Sequence, residues 1–152
     1  MRDAGLSALL VTHRPNVRYL TGLDASLAAL LVLPHRAILL VDFRYATAGR
    51  EVAAGSAGLD VQVTEGRADA TVSDVLRTHG GLRIGIEADH VPVARFNRLS
   101  ATIAPAGLPM EERTRVLVPV ERLIERFRAV KDQQEITILR QAGRRLLEVA
   151  RT

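Results

Sequence analysis

The residue types best suited to chemistry stand together at Glu87-Ala88-Asp89-His90. Two carboxylates and an imidazole are donor types of a divalent-metal site. The spacing works against that use. On a strand Glu87 and Asp89 share a face while His90 points the other way, and no further ligand group in the sequence completes a set. Polar residues at a strand end explain the cluster better. Gly80-Gly81-Leu82-Arg83-Ile84-Gly85 is glycine-rich. Phosphate-cradling loops lead from a strand into a helix; this run precedes a strand, so it reads as a helix stop and a turn. No G-x-S-x-G motif occurs, and His13, His35 and His79 lie at loop or element ends. No nucleophile is paired with a base. There is no cysteine, which excludes disulfides and thiolate metal sites. The residues alone describe a good core without an active site.

A softer signal comes from Asn16, Arg18, Tyr19, Arg44 and Tyr45. Both polar–aromatic groups fall where a core element reaches the surface. Arg and Tyr favour recognition surfaces; capping and the snorkelling of long side chains are the alternative explanation.

The elements that must position these residues centre on two apolar runs, residues 27–33 and 37–41, separated by Pro34-His35-Arg36. Strand-length runs around turn chemistry predict a β-hairpin. Neither run alternates with polar residues, so both strands are expected to be buried on both faces, between layers of helix. Before the hairpin, residues 7–12 read as a buried strand, Arg14-Pro15-Asn16 as a turn, and residues 16–22 as a short helical turn closed by Gly22. Gly5 has the look of a helix C-cap, as if a helix preceded it. After the hairpin the pattern predicts a helix over 46–54, a half-buried strand over 60–64 and an amphipathic helix over 71–79. A strand over 83–88 and a helix from Pro92 towards Thr102 follow, Pro being tolerated in a first helical turn. The last strand is expected over 114–118 and a further helix over 120–130. Asp132 and Glu135 form a D-x-x-E capping box that starts a final helix. The order predicts an α/β fold with a mixed sheet of about six strands and helices on both faces.

The 152 residues, 47% hydrophobic, fit one domain with a real core. No signal peptide is expected, because no long apolar run follows a basic start. The apolar runs are too short for a bilayer, which takes roughly 20 residues. The expectation is a cytoplasmic protein without a membrane partner. The net charge of +4 invites a nucleic-acid reading. Its distribution weakens that reading: ten basic and five acidic residues stand from Arg113 onward, against eleven and twelve before. The surplus is interleaved with Glu on a helical pattern, as on solvated helix faces, and no nucleic-acid partner is expected.

Four segments, taken in order, resemble the creatinase/prolidase N-terminal domain. They are Asn16-Val17-Arg18-Tyr19-Leu20-Thr21-Gly22, the hairpin ending Val41-Asp42-Phe43-Arg44-Tyr45, Ile84-Gly85-Ile86-Glu87-Ala88-Asp89-His90, and Arg128-Ala129-Val130-Lys131-Asp132-Gln133-Gln134-Glu135-Ile136. The resemblance spans nearly the whole chain. It implies an α/β fold with a six-stranded mixed sheet and a ribonuclease H-like motif. It further implies a non-catalytic domain, residues 1–131, followed by the first helix of a metallopeptidase domain, residues 132–152. The implied parent is an Xaa-Pro aminopeptidase or Xaa-Pro dipeptidase that hydrolyses the bond preceding proline. Its two divalent ions (Mn, Co or Zn) would be held by two Asp, one His and two Glu of that catalytic domain, none of which can be placed here. The implied partners are the chain's own catalytic domain, a second copy in a homodimer, and proline-containing peptides. Asn16, Arg18, Tyr19, Arg44 and Tyr45 take the role of substrate-cleft or oligomer contacts. A metal-independent creatinase and a non-catalytic binding module share the architecture and stay open as alternatives. In the final helix Ile136, Leu139, Gly143, Leu146 and Ala150 recur at helical spacing, an apolar stripe that needs a partner. In the parent enzyme that partner would be the catalytic domain; in this chain alone the helix is expected to fray or, preferably, to borrow the surface of a second copy.

Overall fold

The computed structural model describes residues 5–64, 68–79, 82–103 and 109–151. The helix expected before Gly5 and the stop at Gly80-Gly81 lie outside them. Two compact units are present, Met1–Arg122 and Leu123–Thr152.

The first unit is built on one six-stranded sheet. Its strands are β1 (Ala8–Val11), β2 (Ala28–Val32), β3 (Ala37–Asp42), β4 (Leu59–Thr64), β5 (Ile84–Glu87) and β6 (Leu117–Val120). They stand in the order β4-β3-β2-β1-β5-β6. β2 runs antiparallel to both of its neighbours, and every other pairing is parallel. Five strands therefore point the same way, and their C-terminal ends share one edge of the sheet. The hairpin forms as expected: Leu33 N–H donates to the Arg36 carbonyl at 2.8 Å, and Leu30, Leu31, Leu39 and Leu40 are buried. Burying each such side chain contributes about 1.5–3 kcal/mol. β4 at the sheet edge shows the half-buried alternation.

Helices cover both faces. α1 (Arg14–Thr21) packs on β2, and α2 (Ala46–Ala54) on β3 and β4. A single 3-10 turn, Phe43–Tyr45, joins β3 to α2. On the opposite face α3 (Ala68–Thr78) and α4 (Val93–Ile103) supply Val72, Val75, Leu76 and Leu99 to a core with Leu10, Leu31, Leu40, Ile84 and Ile86. Gly85, in the middle of β5, is needed for packing: a Cβ there would meet Leu6 Cδ1 at 2.7 Å and Leu9 Cδ1 at 3.0 Å.

Three boundaries differ from expectation. α1 begins at Arg14, so the expected turn at Arg14-Pro15-Asn16 is already helix. Pro15 lies in the first turn, where its missing N–H has no intrahelical partner to lose. Gly22 closes the helix with φ 79. The strand expected over 114–118 is displaced. Residues 110–116 form α5 (Met110–Val116), with Glu111 and Glu112 in its first turn, where the helix dipole favours acids. β6 follows at Leu117–Val120 and tolerates Pro119 because it is an edge strand. The helix expected over 120–130 shrinks to α6 (Glu125–Ala129), because Val120 pairs with Glu87 and Arg122 adopts φ 51.

The second unit consists of α6 and α7 (Gln133–Ala150). The capping box forms in full: Asp132 Oδ1 accepts from Glu135 N at 2.8 Å, and Glu135 Oε2 accepts from Asp132 N at 2.9 Å. No α7 residue is buried, and Leu139 and Leu146 of its apolar stripe are exposed, as is Leu147 alongside.

Candidate recognition rim

The C-terminal edge of the sheet is where polar groups enter the core. Among the described residues five polar side chains are buried, and three of them, Asp42, Thr64 and Glu87, each end a parallel strand. An ionised carboxylate tolerates burial only with partners. Glu87 finds them far along the chain. Its Oε2 accepts from the main-chain N–H groups of Thr12 (2.6 Å) and His13 (2.8 Å), and its Oε1 from Asn16 Nδ2 (2.7 Å). The carboxylate thereby fastens the entry of α1 to the end of β5. Asn16 is fully buried in this contact and braces the fold. Beside it the rings of His13 and His90 stack, 3.5 Å between centroids and 13° from parallel.

Asp42 solves the same problem locally. It accepts from Arg44 N at 2.9 Å, and its Oδ2 accepts from Arg44 Nη2 at 2.6 Å and Nε at 3.1 Å. These hydrogen bonds outweigh desolvation and hold the Asp42 carboxyl below its ordinary value near 3.8. The Arg44 guanidinium lies 5.6 Å from the centroid of the Tyr45 ring. The Tyr45 hydroxyl is 3.0 Å from Ser26 Oγ, and this bond lowers the Tyr45 phenol from its ordinary value near 10.

Asp24 sits between Arg14 (Nε at 2.7 Å) and Arg18 (Nη1 at 3.4 Å). The Arg14 hydrogen bond is the main reason its carboxyl titrates low. Asp24 and Ser26, two residues apart in the loop before β2, thus each hold one of the two polar–aromatic groups along this rim. Arg18 and Arg44 present exposed surface there, and Tyr19 is exposed on α1. The sequence reading missed Glu87 as an anchor, together with Arg14, Asp24 and Ser26. A lone Glu ending the apolar run Ile84–Glu87 was the signal for the first. The rim presents charged and hydrogen-bonding groups suited to recognition.

The family model of the creatinase/prolidase N-terminal domain matches residues 1–130. The chain belongs to this family. A curated relative of this creatinase/prolidase N-terminal domain, the uncharacterized peptidase YqhT of Bacillus subtilis (strain 168), is 28% identical over 140 residues. The match covers 92% of this chain and 36% of YqhT. The Xaa-Pro dipeptidase from Bacillus anthracis shares the fold with a TM-score of 0.72 at 21% identity, covering 92% of this chain and 36% of that one. The N-terminal domain of the cytoplasmic peptidase PepQ from Mycobacterium tuberculosis H37Rv gives a TM-score of 0.63 at 26% identity, covering 82% of this chain and 89% of that one. The domain therefore spans about a third of its curated relative (36%) and most of a separately solved N-terminal domain (89%). The mixed six-stranded α/β fold is that of the family. No helix among the described residues is long and apolar enough to cross a membrane.

A pair of divalent ions needs carboxylates free to ligate. Asp42 and Glu87, the buried carboxylates among the described residues, are held by Arg44 and by the entry of α1. They do not fit such a pair.

Proposed function

We propose that this domain is the non-catalytic N-terminal part of an Xaa-Pro metallopeptidase. There it shapes the substrate cleft and oligomer contacts while a following domain hydrolyses the bond preceding proline. The observation that carries the reading is the rim. Arg18, Arg44 and Tyr45 lie with Arg14 at one edge of the sheet, Tyr19 is exposed on the helix that carries Arg18, and the neighbouring carboxylates serve the fold. Arginine and tyrosine in this arrangement suit the carboxylate and backbone groups of a short peptide. The metal ions, Mn, Co or Zn, belong to the following domain, whose first helix starts at the Asp132 capping box. The uncovered stripe of α7 supports that assignment, because a helix with an apolar face gains stability from a packing partner. A homodimer in the cytoplasm completes the proposal.

Two measurements test it. This chain, incubated with an Xaa-Pro dipeptide and excess Mn²⁺ or Co²⁺, is expected to show no chelator-sensitive turnover. In the longer enzyme, alanine at Arg18, Tyr19, Arg44 or Tyr45 is expected to change kcat/KM while leaving the melting temperature nearly unmoved. Unchanged kinetics with cooperative destabilisation would make the rim structural.

A further inference from the structure

β4 is an outermost strand of the sheet, and its far side has no strand partner among the described residues. Successive residues of a strand turn their N–H and C=O groups to opposite sides. The first bond of the β3–β4 ladder fixes which side each takes: Ala37 N–H donates to the Gly58 carbonyl at 2.7 Å. With the register running from Ala37↔Leu59 to Asp42↔Thr64, Asp60, Gln62 and Thr64 turn their main-chain groups to β3. Val61 and Val63 turn theirs outward. Such a row is a template for another strand.

Edge strands are ordinarily blunted by proline, lysine or a bulge. β4 has none of these. Its sequence, Leu59-Asp60-Val61-Gln62-Val63-Thr64, contains no proline and no basic residue, and its unbroken register with β3 excludes a bulge. Its one charge, Asp60, lies 3.8 Å from Arg36 Nη1 of the same chain. On one face Val61 lies under α2, where a Cβ added to Gly49 would meet Val61 Cγ1 at 3.5 Å. On the other face Asp60 and Gln62 are exposed.

This edge is complementary to itself. Its two outward valines flank Gln62 symmetrically. A two-fold axis through Gln62, normal to the sheet, sets Val61 opposite the partner's Val63 and Val63 opposite the partner's Val61. Each of these pairs exchanges both of its N–H···O=C bonds, and the β-branched side chains become cross-strand neighbours on the α2 face. The two Gln62 amides meet across the axis, where each can donate and accept. We propose that β4 is an interface strand: it pairs antiparallel with β4 of a second copy and joins two sheets into one, an isologous contact. The inference needs only the first unit and does not depend on the peptidase reading. It assigns self-association to β4 and not to the apolar stripe of α7.

Sedimentation equilibrium of the chain, of Gln62→Lys and of Leu146→Glu tests it. The expected result is a reversible dimer in the micromolar range. Gln62→Lys sets like charges directly opposite on the axis and is expected to weaken the dimer at least ten-fold. Leu146→Glu is expected to leave it unchanged. Gln62→Cys gives a positive readout, since the chain has no cysteine of its own. Residues opposite in a non-hydrogen-bonded antiparallel pair have Cα atoms about 4.5 Å apart, within reach of a disulfide. Mild oxidation is expected to link Gln62→Cys into a covalent dimer and to leave Asp60→Cys unlinked, because Asp60 lies off the axis. Melting curves establish that each variant, changed at an exposed side chain, is folded. A chain that stays monomeric at its highest soluble concentration, or a dimer that withstands Gln62→Lys and is lost in Leu146→Glu, would overturn the proposal.

Discussion

The ends of β5 and β3 meet the same physical problem and solve it differently. Each strand closes on a buried carboxylate. Glu87 is satisfied by groups 71 to 75 residues away, on the entry to α1. Asp42 is satisfied by a residue two positions on. A long-range clamp ties separate elements together, so it belongs to the fold. A local clamp holds only its own turn, and it leaves Arg44 and Tyr45 presented at the rim. Burial alone therefore does not tell whether a carboxylate is structural or helps shape a functional surface.

The sharpest way to break this comparison is Glu87→Ala. It strands two main-chain N–H groups and the buried Asn16 amide, and is expected to cost about 3–5 kcal/mol, as removal of one partner from a buried charged cluster does. Urea denaturation followed by circular dichroism measures the loss. Asp42→Ala should fall well short of it, and equal losses at the two sites would erase the distinction. Gly85→Ala, two residues before Glu87, forces a Cβ against Leu6 and Leu9. Overpacking of this kind is expected to cost about 1–3 kcal/mol, read from the shift of the same transition.

At the β3–β4 end the sign reverses. Thr64→Val removes a buried hydroxyl without a hydrogen-bond partner among the described residues, at nearly constant shape, and is expected to stabilise the chain by about 1 kcal/mol. A lowered melting temperature would show that the hydroxyl has a partner in solution. The smallest effect is electrostatic. The Asp42 carboxyl titrates below its ordinary value near 3.8, so its contribution to stability is full above that value and is lost as pH falls through the lowered one. Asp42→Asn is expected to flatten this part of the stability–pH profile below pH 3.8 and, at neutral pH, to lose the stability that the ionised carboxylate supplies. An unaltered acid limb in the variant would assign the acid sensitivity to other groups.

Much of the fold was legible in the residues. Continuous apolar runs around Pro34 marked a doubly buried hairpin, alternation over 60–64 marked a half-buried strand, and Asp132 with Glu135 marked the start of α7. The errors cluster where local signals conflict with pairing. Pro15 reads as a turn until the helix is seen to start before it. Thr114 and Val116 favour strand, yet the segment from Met110 to Val116 is helix. Val120 continues the helical pattern but is held by Glu87 across the sheet. In the rim, Arg44 and Tyr45 were visible as types, while Asp24 and Ser26 looked like loop residues.

By itself the sequence determined the order of elements, the mixed α/β class and the polar–aromatic character of the rim, because hydrophobic period, turn chemistry and capping act over a few residues. Only the tertiary structure decided that Asn16 turns inward to Glu87, that Arg14 and Arg18 reach the same rim as Tyr45, and that β4 stands at an open edge of the sheet. Each of those outcomes depends on which strand ends lie side by side. Strand order is set by burying the whole sheet at once, and no local stretch of residues encodes it.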